Sequence, residues 1–124
     1  MSDPSDLSDE MTGDAVTFIT STGLAARIRA GGVMMIDVRD ADDFAAGHIA
    51  GAINIPPSGF DIPALVDLIE DTPTSGHGVV FICAVGQRSF GAASAMHDHL
   101  DCPVASLKGG IQGWVRDGYD LVGC

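Results

Sequence analysis

The chain predicts an α/β fold built around a mainly parallel sheet, and three observations carry that prediction. Two uninterrupted apolar runs, VMMIDV (33–38) and VVFI (79–82), read as strands buried on both faces, as strands of a parallel sheet are. Stretches with helical apolar spacing alternate with strand candidates along most of the chain. No internal repeat interrupts that alternation.

Taken in order, VTFIT (16–20) is a candidate edge strand, and TGLAARIRA (22–30) a helix ended by Gly31 and Gly32, with Leu24 and Ile28 on one face. VMMIDV follows, bounded by glycines and acids, and Asp40 is placed to cap a short helix, DADDFAA. INI (53–55) is a brief strand. Ile62, Leu65, Val66 and Ile69 recur at helical spacing behind Pro63, a residue suited to a first helical turn. VVFI runs through CAVGQRS into FGAASAMHDHL, where Ala93, Met96 and Leu100 form a stripe on a helix expected to begin near Ser89. VASL (104–107) supplies a further strand and IQGWVRDG a short terminal helix.

The length of 124 residues suits one domain, because domains commonly run to roughly 100–200 residues. Residues 1–14 are acidic, with Ser, Pro and Gly and few large apolar groups, so burial has little to set against the entropy of ordering them. They read as a flexible tail before a domain at 15–124. The acids near the start exclude a secretory signal, and no apolar run approaches the roughly 20 residues that span a bilayer, so the expected location is the cytoplasm. Seventeen acids against six bases leave a formal charge of -11. Binding to nucleic acid or to acidic membranes, which rests on clustered Lys and Arg, is therefore not expected. Three cysteines without CxxC spacing argue against a disulfide framework and against a structural zinc site.

The chemistry concentrates at Cys83. In a parallel α/β sheet reacting groups gather beyond the carboxyl ends of the strands, and Cys83 directly follows VVFI and precedes a helix. The loop Cys83, Ala84, Val85, Gly86, Gln87, Arg88 carries small residues and a central glycine, so its backbone N–H groups can curl toward one point and hold an anion. The helix N-terminus and Arg88 add positive charge that favours the thiolate, and Ser89 is placed either to cap the helix or to donate toward the sulfur. The competing reading of Cys83 is a buried inert thiol closing a core strand.

At four ordered places the sequence resembles the rhodanese family of thiosulfate sulfurtransferases: IDVRDADDFAAGHIAGAINIP (36–56), FICAVGQRS (81–89), LKGGIQGW (107–114) and DGYDLV (117–122). The resemblance implies a three-layer α/β domain with a mainly parallel five-stranded sheet flanked by helices. It also implies a persulfide-forming cysteine at Cys83, a substrate loop over Ala84, Val85, Gly86, Gln87, Arg88 and Ser89, and no metal or organic cofactor. The implied partners are a small anionic sulfur donor, a thiol or cyanide acceptor, and in one variant a protein that accepts the sulfur. Related phosphatases and arsenate reductases use a loop one residue longer, CxxxxxR, so the four residues between Cys83 and Arg88 favour sulfur over phosphorus. Many relatives active on thiosulfate carry further cationic or hydroxyl groups in this loop; Ala84, Val85 and Gln87 stand here instead, which points to a persulfide donor. A carrier or interaction module that hands sulfur only to a protein partner is the alternative, and an oxyanion reductase or phosphatase a third reading.

Asp37 and Arg39 resemble the family's DVR pair, which supports neighbouring loops by hydrogen bonds and ion pairing. His48, in GHIAGA, is read as structural rather than as a general base. His97 and His99, two apart on a helix, do not face each other and read as surface residues rather than metal ligands. Gly109 and Gly110 allow a close approach or a positive backbone angle, and Trp114 covers the terminal core or lines an access path. Cys102 and Cys124 read as uninvolved thiols, a resolving disulfide with Cys83 being the alternative.

Overall fold

The computed structural model describes residues 16–31, 33–71, 78–100 and 103–123. The expected tail over 1–14, Gly32, Cys102 and Cys124 lie outside the described residues. The elements are β1 (Thr17–Ile19), α1 (Ser21–Ala30), β2 (Met34–Asp37), α2 (Ala41–Ala46), β3 (Ile53–Asn54), a 3₁₀ turn (Pro57–Gly59), α3 (Ile62–Glu70), β4 (Val79–Ile82), α4 (Gln87–His97), β5 (Val104–Leu107) and α5 (Gly110–Arg116). The strands form one five-stranded sheet in the order β1-β5-β4-β2-β3, parallel throughout. The predicted α/β class and the three-layer, five-stranded arrangement hold.

Strand alternation explains why the two longest apolar runs are uninterrupted. Met35, Val80 and Ile82 face one layer, together with Leu24 of α1 and Ile111 and Trp114 of α5. Met34, Ile36, Val79 and Phe81 face the other, together with Leu65 and Ile69 of α3 and Ala93 and Met96 of α4. A strand covered on both sides favours apolar residues at successive positions. Cys83 continues the period of Val79 and Phe81 and belongs to the α3/α4 side.

Two boundaries differ from the sequence expectation. Helix α4 begins at Gln87, two residues before Ser89, because Gly86 takes a φ of 97° and turns the chain into the helix immediately behind the loop. Asp40 does stand at the N-cap of α2 but makes no side-chain capping hydrogen bond; the Phe44 N–H closes that turn on the Asp40 carbonyl, which leaves the carboxylate free to face the cleft described below. Gly31 ends α1 as expected, with a φ of 75°.

The strand order sets the position of the site. From β2 the chain moves outward to the edge strand β3, and from β4 it moves the opposite way to β5. The crevice of a doubly wound sheet opens where connections diverge, beyond the strands' carboxyl ends. Here that is the gap after Asp37 of β2 and Ile82 of β4, which are register partners.

Candidate active site

A cleft of about 400 Å³ occupies that gap, lined by Arg39, Asp40 and Asp43 from the segment after β2 and by Cys83, Ala84, Val85, Gln87 and Arg88 from the segment after β4. Cys83 is 2% exposed at its floor. The Gly86 N–H donates to the Cys83 Sγ at 3.0 Å. Burial pushes the thiol pKa up, but hydrogen bonds from the Ser89 side chain and from the amides of Ser89, Gly86 and Val85 outweigh it, and the net effect lowers the pKa. Of the loop amides, that of Gly86 reaches the sulfur directly. The expected charge effect of Arg88 is not among the causes of the lowering: Arg88 is exposed and lines the cleft and an adjoining apolar groove of about 310 Å³.

The loop holds its shape because the LKGG turn is packed beneath it. The Ile111 N–H donates to the Cys83 carbonyl at 2.9 Å and the Gln112 N–H to the Ala84 carbonyl at 3.0 Å, so the first turn of α5 takes the carbonyls and leaves the loop's N–H groups for the sulfur. This contact requires glycine. At Gly110, with φ 60°, a Cβ would lie 2.5 Å from the Cys83 oxygen and 2.6 Å from the Ala84 carbonyl carbon. At Gly86 it would lie 3.0 Å from the Leu107 oxygen.

The other wall is built around Asp37, which has no exposed surface. The Arg39 guanidinium donates to both of its carboxylate oxygens, at 2.8–3.1 Å, and also to the Gly47 carbonyl at 2.8 Å. Asn54 of β3 donates to the Asp37 and Arg39 carbonyls. The pair thus ties the end of β2 to the segment after α2 and to β3. Arg39 reaches the cleft wall with its charge already matched, so Asp40, Asp43 and Arg88 carry the unpaired charges of the lining.

The remaining predicted residues stand away from the chemistry. His48 lies outside the cleft lining; its Nδ1 is 2.8 Å from the Phe44 carbonyl, its ring stacks on Phe44, and its backbone bridges to Val122. Trp114 is buried, stacked on Tyr119, and donates from Nε1 to the Asp120 carbonyl. It belongs to the core and does not line the cleft, so the access-path reading falls. His99 is exposed, and His97 contacts Asp98.

Sequence reasoning missed Ser106. Its hydroxyl is 2.6 Å from the Ser89 Oγ and 3.2 Å from the Gly86 carbonyl, with no exposed surface. The available signal was a lone hydroxyl inside the strand VASL, where buried polar atoms require partners.

Comparison with known proteins agrees with this architecture. The model of the family described as the rhodanese-like domain matches residues 20–117. The thiosulfate sulfurtransferase GlpE of Pseudomonas aeruginosa (strain LESB58) is 35% identical over 91 residues, covering 73% of this chain and 76% of that protein. An Arabidopsis thaliana protein named dual specificity phosphatase Cdc25 is 31% identical over 121 residues, covering 89% of this chain and 80% of that one. Among solved structures, a rhodanese-related protein from Thermoplasma volcanium superposes with a TM-score of 0.67 at 29% identity, covering 87% of this chain and 99% of that chain.

Proposed function

The chain belongs to the rhodanese-like domain family, and on that premise we propose that it is a sulfurtransferase that carries sulfane sulfur on Cys83. The observation that supports this reading most directly is the buried Cys83 sulfur, held by the Gly86 amide and lowered in pKa by four hydrogen bonds, at the floor of an open cleft. A thiolate so held is a nucleophile. It attacks the sulfane sulfur of the donor and forms a Cys83 S–S bond, while the donor's own S–S bond breaks and its electron pair leaves with sulfite or a thiolate. Cyanide or an acceptor thiolate then attacks the outer sulfur, and the electron pair of the broken bond returns to Cys83. Both steps balance without a metal or organic cofactor. The loop amides and Arg88 stabilise negative charge on the outer sulfur and on an anionic donor.

The unpaired charges of the cleft favour a persulfide of low charge over thiosulfate. Asp40 and Asp43 face Arg88 across the lining, on a chain of net charge -11, so a dianion meets more repulsion than attraction. The free thiol and the expected cytoplasmic location suit each other; no described helix is long and apolar enough to cross a membrane.

A second reading is favoured by the loop tip, where Ala84 is exposed and Val85 is 49% exposed: the protein hands its sulfur only to a protein that docks there. Phosphatase chemistry, suggested by the Arabidopsis relative's name, asks for a wider cradle than the four residues between Cys83 and Arg88 form.

The test is the intact mass of the reduced protein after incubation with thiosulfate, and separately with glutathione persulfide, for the native chain and Cys83→Ser. The expected result is a gain of one sulfur atom that requires Cys83 and is discharged by cyanide as thiocyanate. No adduct from either donor would overturn the reading.

A further inference from the structure

Behind Cys83 two buried hydroxyls form a chain. Ser89 on α4 and Ser106 on β5 have no exposed surface, and their Oγ atoms are 2.6 Å apart. The Ser89 side chain is also among the groups that lower the Cys83 pKa, and Ser106 Oγ reaches the Gly86 carbonyl at 3.2 Å. Gly86 in turn donates its N–H to the same sulfur.

Each hydroxyl has one hydrogen to give, and each has two acceptors. The Ser89 hydrogen goes either to the Cys83 sulfur or to Ser106. The Ser106 hydrogen goes either to Ser89 or to the Gly86 carbonyl. With Cys83 protonated, the chain runs outward: Ser89 donates to Ser106, and Ser106 to Gly86. With Cys83 ionised, Ser89 must donate to the thiolate, and its Oγ becomes free to accept from Ser106. Both arrangements keep the short 2.6 Å bond; only the longer bond to Gly86 is given up. No proton enters or leaves the pair, because two hydroxyl hydrogens simply re-aim.

We propose that Ser106 is a positioning residue, which turns its hydroxyl onto Ser89 and thereby holds the Ser89 hydrogen on the Cys83 thiolate. The effect is cooperative: a hydroxyl that accepts a hydrogen bond donates a stronger one, and more so in a dry site. Without Ser106, the Ser89 hydroxyl is also released to bond a backbone carbonyl one turn earlier in its own segment, as helical serines do. The role in sulfur transfer rests on the reading given above. There Cys83 is a thiolate when it takes up sulfur and again when it is expelled from the persulfide, so the same pair serves attack and departure.

The test follows the pH dependence of Cys83 alkylation by iodoacetamide on the Cys83 peptide by mass spectrometry, in the reduced native chain, Ser89→Ala, Ser106→Ala, the double variant and Ser106→Thr. Ser106→Ala is expected to raise the midpoint by about half a pH unit, and Ser89→Ala to raise it further, since a direct hydrogen bond to a charge outweighs an indirect one. The double variant should match Ser89→Ala alone, because Ser106 acts only through Ser89. Ser106→Thr, which keeps the hydroxyl, should restore the native midpoint. If Ser106→Ala does not fold, Ser106→Cys, nearly isosteric and a weaker donor, carries the same expectation. An unchanged or lowered midpoint, or shifts that add in the double variant, would overturn the proposal. Sulfur loading, measured on the same variants, separates the two ideas: a native chain that loads no sulfur removes the sulfurtransferase reading, and the alkylation midpoints still decide the role of Ser106.

Discussion

The segments that follow β2 and β4 leave neighbouring strands, face the same cleft and each contain an arginine, yet they spend their polar groups in opposite ways. After β2, Asp37 and Arg39 pair with each other, and Arg39 and Asn54 also donate to backbone carbonyls. After β4, the Gly86 N–H points at a sulfur, and Arg88 is exposed. A closed network fixes a wall. An open one retains donors for a charge that appears only during reaction, which is the arrangement that stabilises such a charge without reorganising at that moment. The two loops therefore divide rigidity from reactivity.

The sharpest way to break this division is to open the closed network. Asp37→Ala leaves the Arg39 charge largely buried, at 11% exposure, without its partner, and is expected to cost about 3–5 kcal/mol of stability, read by urea unfolding. The Cys83 alkylation midpoint should stay near the native value in the folded fraction; a large shift would mean that the two walls are one electrostatic unit. Gly86→Ala tests the other side. It adds a Cβ 3.0 Å from the Leu107 oxygen at a φ of 97°, with an expected cost of about 1–3 kcal/mol, and unlike Asp37→Ala it should also slow Cys83 alkylation, because the Gly86 amide is displaced from the sulfur. Unaltered alkylation would show that this amide does not hold the thiolate.

Asp43→Asn sharpens the comparison at the cleft mouth. Removing one negative charge should raise kcat/KM for thiosulfate about threefold at low salt, with the gain fading as salt screens it. A persulfide donor of zero net charge should gain little, and equal gains for both would rule out charge selection. The smallest effect concerns stability against pH. Cys83 has a pKa lowered by folding, so between that value and the ordinary one of about 8.5 the unfolded chain binds more protons and stability rises with pH. The contribution is complete above the unfolded value and disappears as pH falls through the folded one. The native chain should therefore gain stability relative to Cys83→Ser as pH rises toward about 9, and parallel curves in urea unfolding would contradict the lowering.

Much of this was legible in the chain itself, for local reasons. VMMIDV and VVFI announced doubly covered strands because burial on both faces favours apolar residues at successive positions. Cys83 announced itself because it ends such a strand and opens a glycine-bearing loop. Asp40 was legible as a helix start but not as a cleft residue, since a side chain freed from capping can be located only when the opposite wall is known.

By itself, the sequence determined the α/β class, the order of strands and helices and the place of the thiol, because periodicity, turn residues and strand ends are properties of adjacent residues. Only the tertiary structure decided what holds that thiol. Ser106 meets Ser89 from 17 residues away, and α5 meets the loop from 28 residues away in the bond from Ile111 to Cys83. Hydrogen bonds act over about 3 Å, and which distant groups come that close is set by how β4 and β5 pair and how α4 and α5 pack on them.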